Sequence, residues 1–269
     1  MSDDLYSTGK AHAWSWPLVD WDQMWRPTMW DRNPPRPHSA HMAHLVAILA
    51  LGLYANIIAN EVLSPAWYIP FNLALLATTL MIARRAGTTW TSMGLRRDRT
   101  TRGLTLGVVI VAGIVIAMLL AIAISSISEI LHDDRFVESS VGLLLFHALI
   151  RIPLGTALYE EVLFRGVIFG MLVRRYTPLK AAIWSSLLFG LWHILPVLDV
   201  MQTNPVGARV SGLPGAAVVV LAAVAGTFLA GLVLLWIRLL ANSILASVIV
   251  HIGTNSTAII AAIVVLHLA

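Results

Sequence analysis

The chain of 269 residues is 58% hydrophobic and only 12% charged, and its mean hydropathy is +0.80. This balance excludes an ordinary soluble domain and predicts an all-α, polytopic transmembrane helical bundle. The sequence contains no cysteine, which excludes disulfides, thiolate nucleophiles and cysteine-ligated zinc. Its net charge of +4 is small, and its basic residues cluster beside the apolar stretches instead of forming the stripe of a nucleic-acid-binding protein.

Residues 1–42 form a tryptophan-rich segment of mixed charge that precedes the apolar part of the chain. The segment has neither the basic start nor the apolar stretch of a secretory signal, so we expect it to remain on the mature protein. Its tryptophans suit the headgroup level of a membrane, and its composition equally suits a flexible tail. We therefore predict a cytoplasmic or interfacial arm at 1–42 and a transmembrane bundle at 43–269.

Seven apolar stretches are long enough to cross a bilayer of about 30 Å. They are predicted at 44–62, 66–83, 104–128, 152–173, 181–197, 215–237 and 243–265. Residues 139–151 either extend the fourth span or lie along the surface, because Pro153 and Gly155 offer a place to bend.

Arginine and lysine residues in the short loops predict the orientation of the bundle. The segments 83–103 and 174–180 are rich in positive charge and are expected in the cytoplasm, whereas 129–138 and 198–214 are poor in it and are expected outside. The N-terminus is then cytoplasmic and the C-terminus external. We expect an integral membrane protein of a bacterial inner membrane.

The fourth span carries three ionisable residues in the sequence TALYEEVLFRG, from Thr156 to Gly166. Charged groups are expensive inside a membrane, so their presence indicates a functional site. Glu161 and Arg165 are four residues apart and share one helical face, whereas Glu160 is turned about 100° away. A pair between Glu161 and Arg165 would leave Glu160 available as a general base, although a packing cluster of all three residues is the alternative.

Two later spans carry further polar groups. Phe189 and His193 are four residues apart in the fifth span, and His251 and Asn255 have the same spacing in the seventh. Each pair taken alone also fits a hydrogen bond between packed helices.

The depth of these residues in the membrane connects the three spans. Glu161 lies 13 residues before Arg174, His193 lies 13 residues after Lys180, and His251 lies 13 residues after Arg238. At about 1.5 Å per residue, all three lie roughly 20 Å from the basic boundary. We therefore expect Glu160, His193 and His251 to converge on one site.

The three motifs in this order resemble the CPBP family of intramembrane proteases, which contains the type II CAAX prenyl endopeptidases and the bacteriocin-processing Abi-like proteins. The resemblance covers about 80–262, the expected protease core. It implies an intramembrane endopeptidase in which Glu160 activates water, His193 assists, and His251 with Asn255 stabilises the oxyanion. Glu161 and Arg165 would orient the base, with Phe189 in a supporting position.

The resemblance implies a membrane-associated peptide or protein substrate and no bound metal. From the residues alone, Glu160, His193 and His251 could also supply a zinc site with an open position for water. Two other functions remain open: a non-proteolytic immunity or scaffold protein with the same site architecture, and a proton-coupled transporter that uses the carboxylates as a relay.

Overall fold

The computed structural model describes residues 38–122, 139–203 and 213–268, and the secondary structure in these ranges is helical. The predicted arm therefore lies outside the described residues, apart from its last five positions, which begin the first helix. The helices are α1 (His38–Ile57), α2 (Tyr68–Arg85), α3 (Thr100–Ile122), α4 (Val141–Leu172), α5 (Pro178–Trp192), α6 (Ile194–Thr203), α7 (Leu213–Ala241) and α8 (Ile244–Leu268).

Seven segments of the described chain are long and apolar enough to cross a membrane, as predicted. They are His41–Val62, Pro65–Arg85, Arg97–Ile122, Val141–Leu172, Pro178–Asp199, Pro214–Ala241 and Ile244–Val265. The all-α bundle and the integral membrane character are thereby confirmed. The predicted external segment 129–138, the predicted end of the third span and most of the loop before α7 lie outside the described residues.

The fourth span, α4, includes the ambiguous segment at 139–151, which extends the helix from a cap at Ser140. The Ser140 hydroxyl accepts a hydrogen bond from the backbone amide of Leu143, which satisfies one of the free donors of the first turn. Around Pro153, the helix widens into a π-helical segment, His147–Ala157. Proline lacks the amide proton of a regular helix, and the wider segment carries the chain past it without a break.

The second half of α4 is the centre of the bundle. Every residue from 159 to 173 is buried, whereas most of the first turns of α4 are exposed. Side chains of three neighbouring helices hold α4 by hydrogen bonds: Tyr68 in α2 to Thr156, Ser185 in α5 to the Phe164 carbonyl, and Ser256 in α8 to the Ala148 carbonyl. Glu160, Glu161 and Arg165 are therefore placed inside the protein and away from lipid.

Glycines allow α3 and α8 to pack closely. A side chain at Gly107 of α3 would lie 2.8 Å from Ile249, and one at Gly253 of α8 would lie 2.4 Å from Val111. The two backbones can approach this closely only because neither position carries a Cβ atom. This contact sets the position of α8, which carries His251.

Arg238 lies in the last turn of α7 and is buried. Its Nη2 donates a hydrogen bond of 2.6 Å to the Ser92 carbonyl, and its guanidinium lies 4.9 Å from the centre of the Phe169 ring. Arg238 thus fixes the arginine-rich α2–α3 connection against α4. Asn242, with a φ of 51°, then turns the chain from α7 into α8.

Candidate active site

Glu161, Arg165 and His251 form a buried cluster between α4 and α8. Arg165 Nη1 lies 2.9 Å from Glu161 Oε1, an ion pair without hydrogen-bond geometry, and the predicted pairing of the two residues is present. His251 Nδ1 lies 2.9 Å from the same oxygen. Because a carboxylate can only accept, this nitrogen donates, and Glu161 thereby fixes the orientation of the imidazole ring.

Glu160, as predicted, points away from the Glu161–Arg165 pair. Its Oε1 accepts a hydrogen bond of 3.0 Å from the indole nitrogen of Trp192. Its Oε2 is buried, has no hydrogen-bond partner among the described residues, and lies 3.8 Å from His251 Nε2. One oxygen of this carboxylate is thus held by the protein, and the other remains available for a ligand.

His193 lies where α5 gives way to α6. Its Nδ1 lies 2.8 Å from the Phe189 carbonyl oxygen, which can only accept, so Nδ1 carries the proton of this bond. A neutral imidazole then has an unprotonated Nε2, which can accept a proton or a hydrogen bond. The residue is half-buried.

Phe189 packs against three of the predicted site residues. Its ring centre lies 4.6 Å from that of His193, 6.0 Å from that of His251 and 3.8 Å from the guanidinium carbon of Arg165. These edge-to-face and cation–π contacts hold the three side chains in a fixed arrangement. Phe189 was expected in a supporting position, and the structure places its ring between these three side chains.

A cavity of about 260 Å³, the polar cavity, brings Glu160, Trp192, His193 and Asn255 together. Side chains from α4, from the end of α5 and from α8 therefore lie around one cavity. Glu161 differs from expectation in one respect, because it contacts His251 and not the base that it was expected to orient. Among the described residues, no group of three histidine or carboxylate side chains is placed to hold a metal ion, so the set Glu160, His193 and His251 is not assembled as such a site.

Several residues of the polar cavity were not anticipated as part of a site. Trp192 positions Glu160, and its own carbonyl accepts a hydrogen bond of 2.9 Å from Asn56 in α1. Asn56, Asn60 and Asn72 belong to none of the three motifs, yet all three line the polar cavity. The sequence did contain one signal for these residues, which is their expected depth in the membrane. Polar residues of the first two spans at the level of Glu160 are candidates for the same site.

The fold and these contacts define a class of protein: an integral membrane helical bundle with a buried glutamate, histidine and arginine cluster beside a polar cavity. Residues 142–257 match the family model described as type II CAAX prenyl endopeptidase Rce1-like. The matched region contains all three motifs, and the match confirms the resemblance to the CPBP family of intramembrane proteases seen in the sequence. Neither a curated protein nor a solved structure matches the chain.

The family supports a CAAX protease-type hydrolase that works as an intramembrane endopeptidase on a membrane-associated substrate. Besides the substrate, the seven apolar segments require a lipid bilayer as a partner.

Proposed function

We propose that the protein is a glutamate-dependent intramembrane endopeptidase with Glu160 as the general base. The observation that carries this proposal is the state of Glu160: its Oε2 is buried and has no hydrogen-bond partner among the described residues, and Glu160 lines a polar cavity together with His193 and Asn255. A carboxylate oxygen in this position can accept a proton from a water molecule in the cavity.

In the first step, the water oxygen attacks the carbonyl carbon of the scissile peptide bond, and Glu160 Oε2 takes one of its protons. His193 assists by accepting a hydrogen bond from the same water at Nε2. The tetrahedral intermediate then collapses, the C–N bond breaks, and the proton held by Glu160 passes to the leaving amine. The products are a carboxylic acid and an amine, so one water is consumed for each bond cleaved.

In the intermediate, negative charge on the former carbonyl oxygen requires hydrogen-bond donors. Asn255 supplies an amide nitrogen in the cavity, and His251 can donate from Nε2 when its ring is protonated. Glu161 accepts the hydrogen bond from Nδ1 and thereby orients the His251 ring.

The test is a comparison of membrane protein fragments in cells with the wild-type chain and with Glu160→Gln, which keeps the size of the side chain but removes the base. We expect fragments that depend on Glu160, and a loss of cleavage of about 10²-fold or more with purified protein. Glu61→Gln is the matched control, because Glu61 is an exposed glutamate at the end of the first span. Unchanged fragments together with an unchanged phenotype would favour the scaffold function.

We further propose that the reaction needs no metal. Elemental analysis of the purified protein should find no stoichiometric zinc, and a chelator should leave cleavage unchanged. Stoichiometric zinc that is lost in His193→Ala or His251→Ala would replace this mechanism with a metal-dependent one. We expect the protein in a bacterial plasma membrane, in keeping with its integral membrane character.

A further inference from the structure

The polar cavity extends from Glu160 to one end of the bundle. It passes Tyr68 and Thr156 and reaches Arg151, which precedes Glu160 by nine residues, or about 13 Å of helix. Asn60 and Asp199 also line it, and both are exposed. The cavity therefore opens beside these two polar residues, at the end of the bundle where α1 ends and α2 begins.

This end of the bundle is opposite the arginine-rich connections. Tyr68 begins α2 at the cavity, whereas Arg84 and Arg85 end the same helix on the far side. In α4, the cavity lies near Arg151, whereas Arg174 follows the other end of the helix. If the arginine-rich connections face the cytoplasm, the cavity opens away from it.

The chemistry of the lining favours a peptide over a lipid chain. Asn56, Asn60, Asn72 and Tyr68 line the cavity. The amide nitrogens of the three asparagines already donate within the protein, to the Trp192 carbonyl, to Asn56 and to the Tyr68 carbonyl, respectively. Because an amide group has two N–H donors and an oxygen with two lone pairs, Asn56 and Asn72 keep a second donor and all three keep an acceptor that can match the polar groups of a peptide unit. A hydrocarbon chain in this position would cover these amides without hydrogen-bonding to them, which is unfavourable.

A second cavity, the apolar cavity, provides the contrast. It has a volume of about 660 Å³, lies at the arginine-rich end, and is lined by Leu95, Leu158, Val162 and Val248, with Arg96 at its edge. Leu158 and Val162 are each two residues from Glu160, which places them about 160° away from it around α4. The helix itself thus separates the apolar cavity from the Glu160 carboxylate.

We propose that the substrate reaches Glu160 through the polar cavity, as an extended hydrophilic peptide segment that enters from the end opposite the arginine-rich connections. This inference rests on the proposed function and specifies its substrate class. A cavity of this volume admits a short stretch of extended chain but no folded domain. The segment would therefore be an unfolded part of a membrane-anchored protein, next to its anchor on the external side.

The first test concerns access and does not require protease activity. Because the chain contains no cysteine, a single introduced thiol reports its own exposure without background. Ala59→Cys places the thiol in the polar cavity, and Thr100→Cys, at the edge of the apolar cavity, is the matched control. Intact cells are treated with a membrane-impermeant maleimide before and after permeabilisation, and folding is checked by size-exclusion chromatography.

We expect Ala59→Cys to react in intact cells and Thr100→Cys to react only after permeabilisation. Labelling of the purified Ala59→Cys protein should also abolish cleavage, because the adduct fills the cavity. If Ala59→Cys reacts only after permeabilisation, or not at all in a folded protein, the proposed route is wrong.

The second test maps the cleavage sites by sequencing the fragments that depend on Glu160. We expect cuts in hydrophilic segments on the external side. Cuts on the cytoplasmic side, or next to a lipid-modified residue, would overturn this inference and leave the proposed function intact. The absence of any Glu160-dependent fragment would overturn the proposed function instead, whatever the labelling result.

Discussion

At the scale of the residue, the indole of Trp192 holds one oxygen of Glu160. It donates to Oε1, whereas Oε2, the proposed base, has no hydrogen-bond partner among the described residues. Trp192→Phe keeps an aromatic ring and the backbone carbonyl that Asn56 binds, but it removes the donor. Because a hydrogen bond to a charged group contributes about 1.5–3 kcal/mol, we expect kcat to fall roughly 10- to 100-fold with KM unchanged.

The measurement for Trp192→Phe is steady-state cleavage by purified protein of a substrate that the fragment comparison identifies. Trp236→Phe is the control, because Trp236 is half-exposed on the outside of α7. A merely structural role of Trp192 would be contradicted by a lower kcat in a variant that unfolds at the wild-type temperature. An equal kcat for the variant and the wild type would show that the indole of Trp192 does not position Glu160 for catalysis.

The pair of Glu161 and Arg165 gives a second prediction at this scale. Both side chains are almost completely buried, so Arg165→Met leaves the charge of Glu161 without its main partner. Loss of one member of a buried pair lowers the free energy of unfolding by about 3–5 kcal/mol. The double variant Glu161→Gln with Arg165→Met should recover part of this loss.

Denaturant unfolding in detergent measures the free energies of both variants. Arg85→Met, at an exposed arginine of α2, is the matched control and should unfold like the wild type. If the double variant is less stable than Arg165→Met by the full effect of Glu161→Gln alone, the two residues do not act as a pair.

At the scale of the element, the contact between α3 and α8 places His251 at the site. Gly107→Leu would force a side chain against Ile249, and overpacking of this kind lowers stability by about 1–3 kcal/mol. We expect the midpoint of thermal unfolding to fall by roughly 5 °C. Gly113→Leu, on the same helix but with no atom within 4 Å of the new Cβ, should leave the midpoint unchanged or raise it.

The widening of α4 around Pro153 belongs to the same scale. The sequence left open whether 139–151 continues the helix, because proline disfavours a regular helix but does not prescribe what replaces it. The hydrogen bonds of α4 to Tyr68 and Ser256 lie on either side of Pro153 and fix its path. Local propensity alone could not decide between a bend and a wider helix.

At the scale of the whole molecule, the orientation in the membrane stays a prediction. Phosphatase fused after Ala269 should be active in a bacterial host, and green fluorescent protein fused there should not fluoresce, because the C-terminus is predicted to be external. Fusion after Arg175, in the short connection between α4 and α5, should give the reverse. The opposite pattern at both positions would place the arginine-rich connections outside and the polar cavity on the cytoplasmic side.

The sequence by itself determined the class of protein and the seven spans, and it indicated most residues of the candidate site. Hydropathy identifies the spans directly because a bilayer demands about 20 apolar residues of helix. A spacing of four residues indicates that two side chains lie on the same face of a helix. The common distance of Glu161, His193 and His251 from basic boundaries also indicated one level in the membrane. All of these are properties of single helices, so they can be determined from the sequence of each helix alone.

Only the tertiary structure decided which helices are neighbours and which atoms meet. The bond of Glu161 to His251, the donation from Trp192 to Glu160 and the asparagines from α1 and α2 all depend on packing between segments that are distant in the chain. Packing of this kind is set by the fit of side chains and glycines across helices, and no local pattern encodes it.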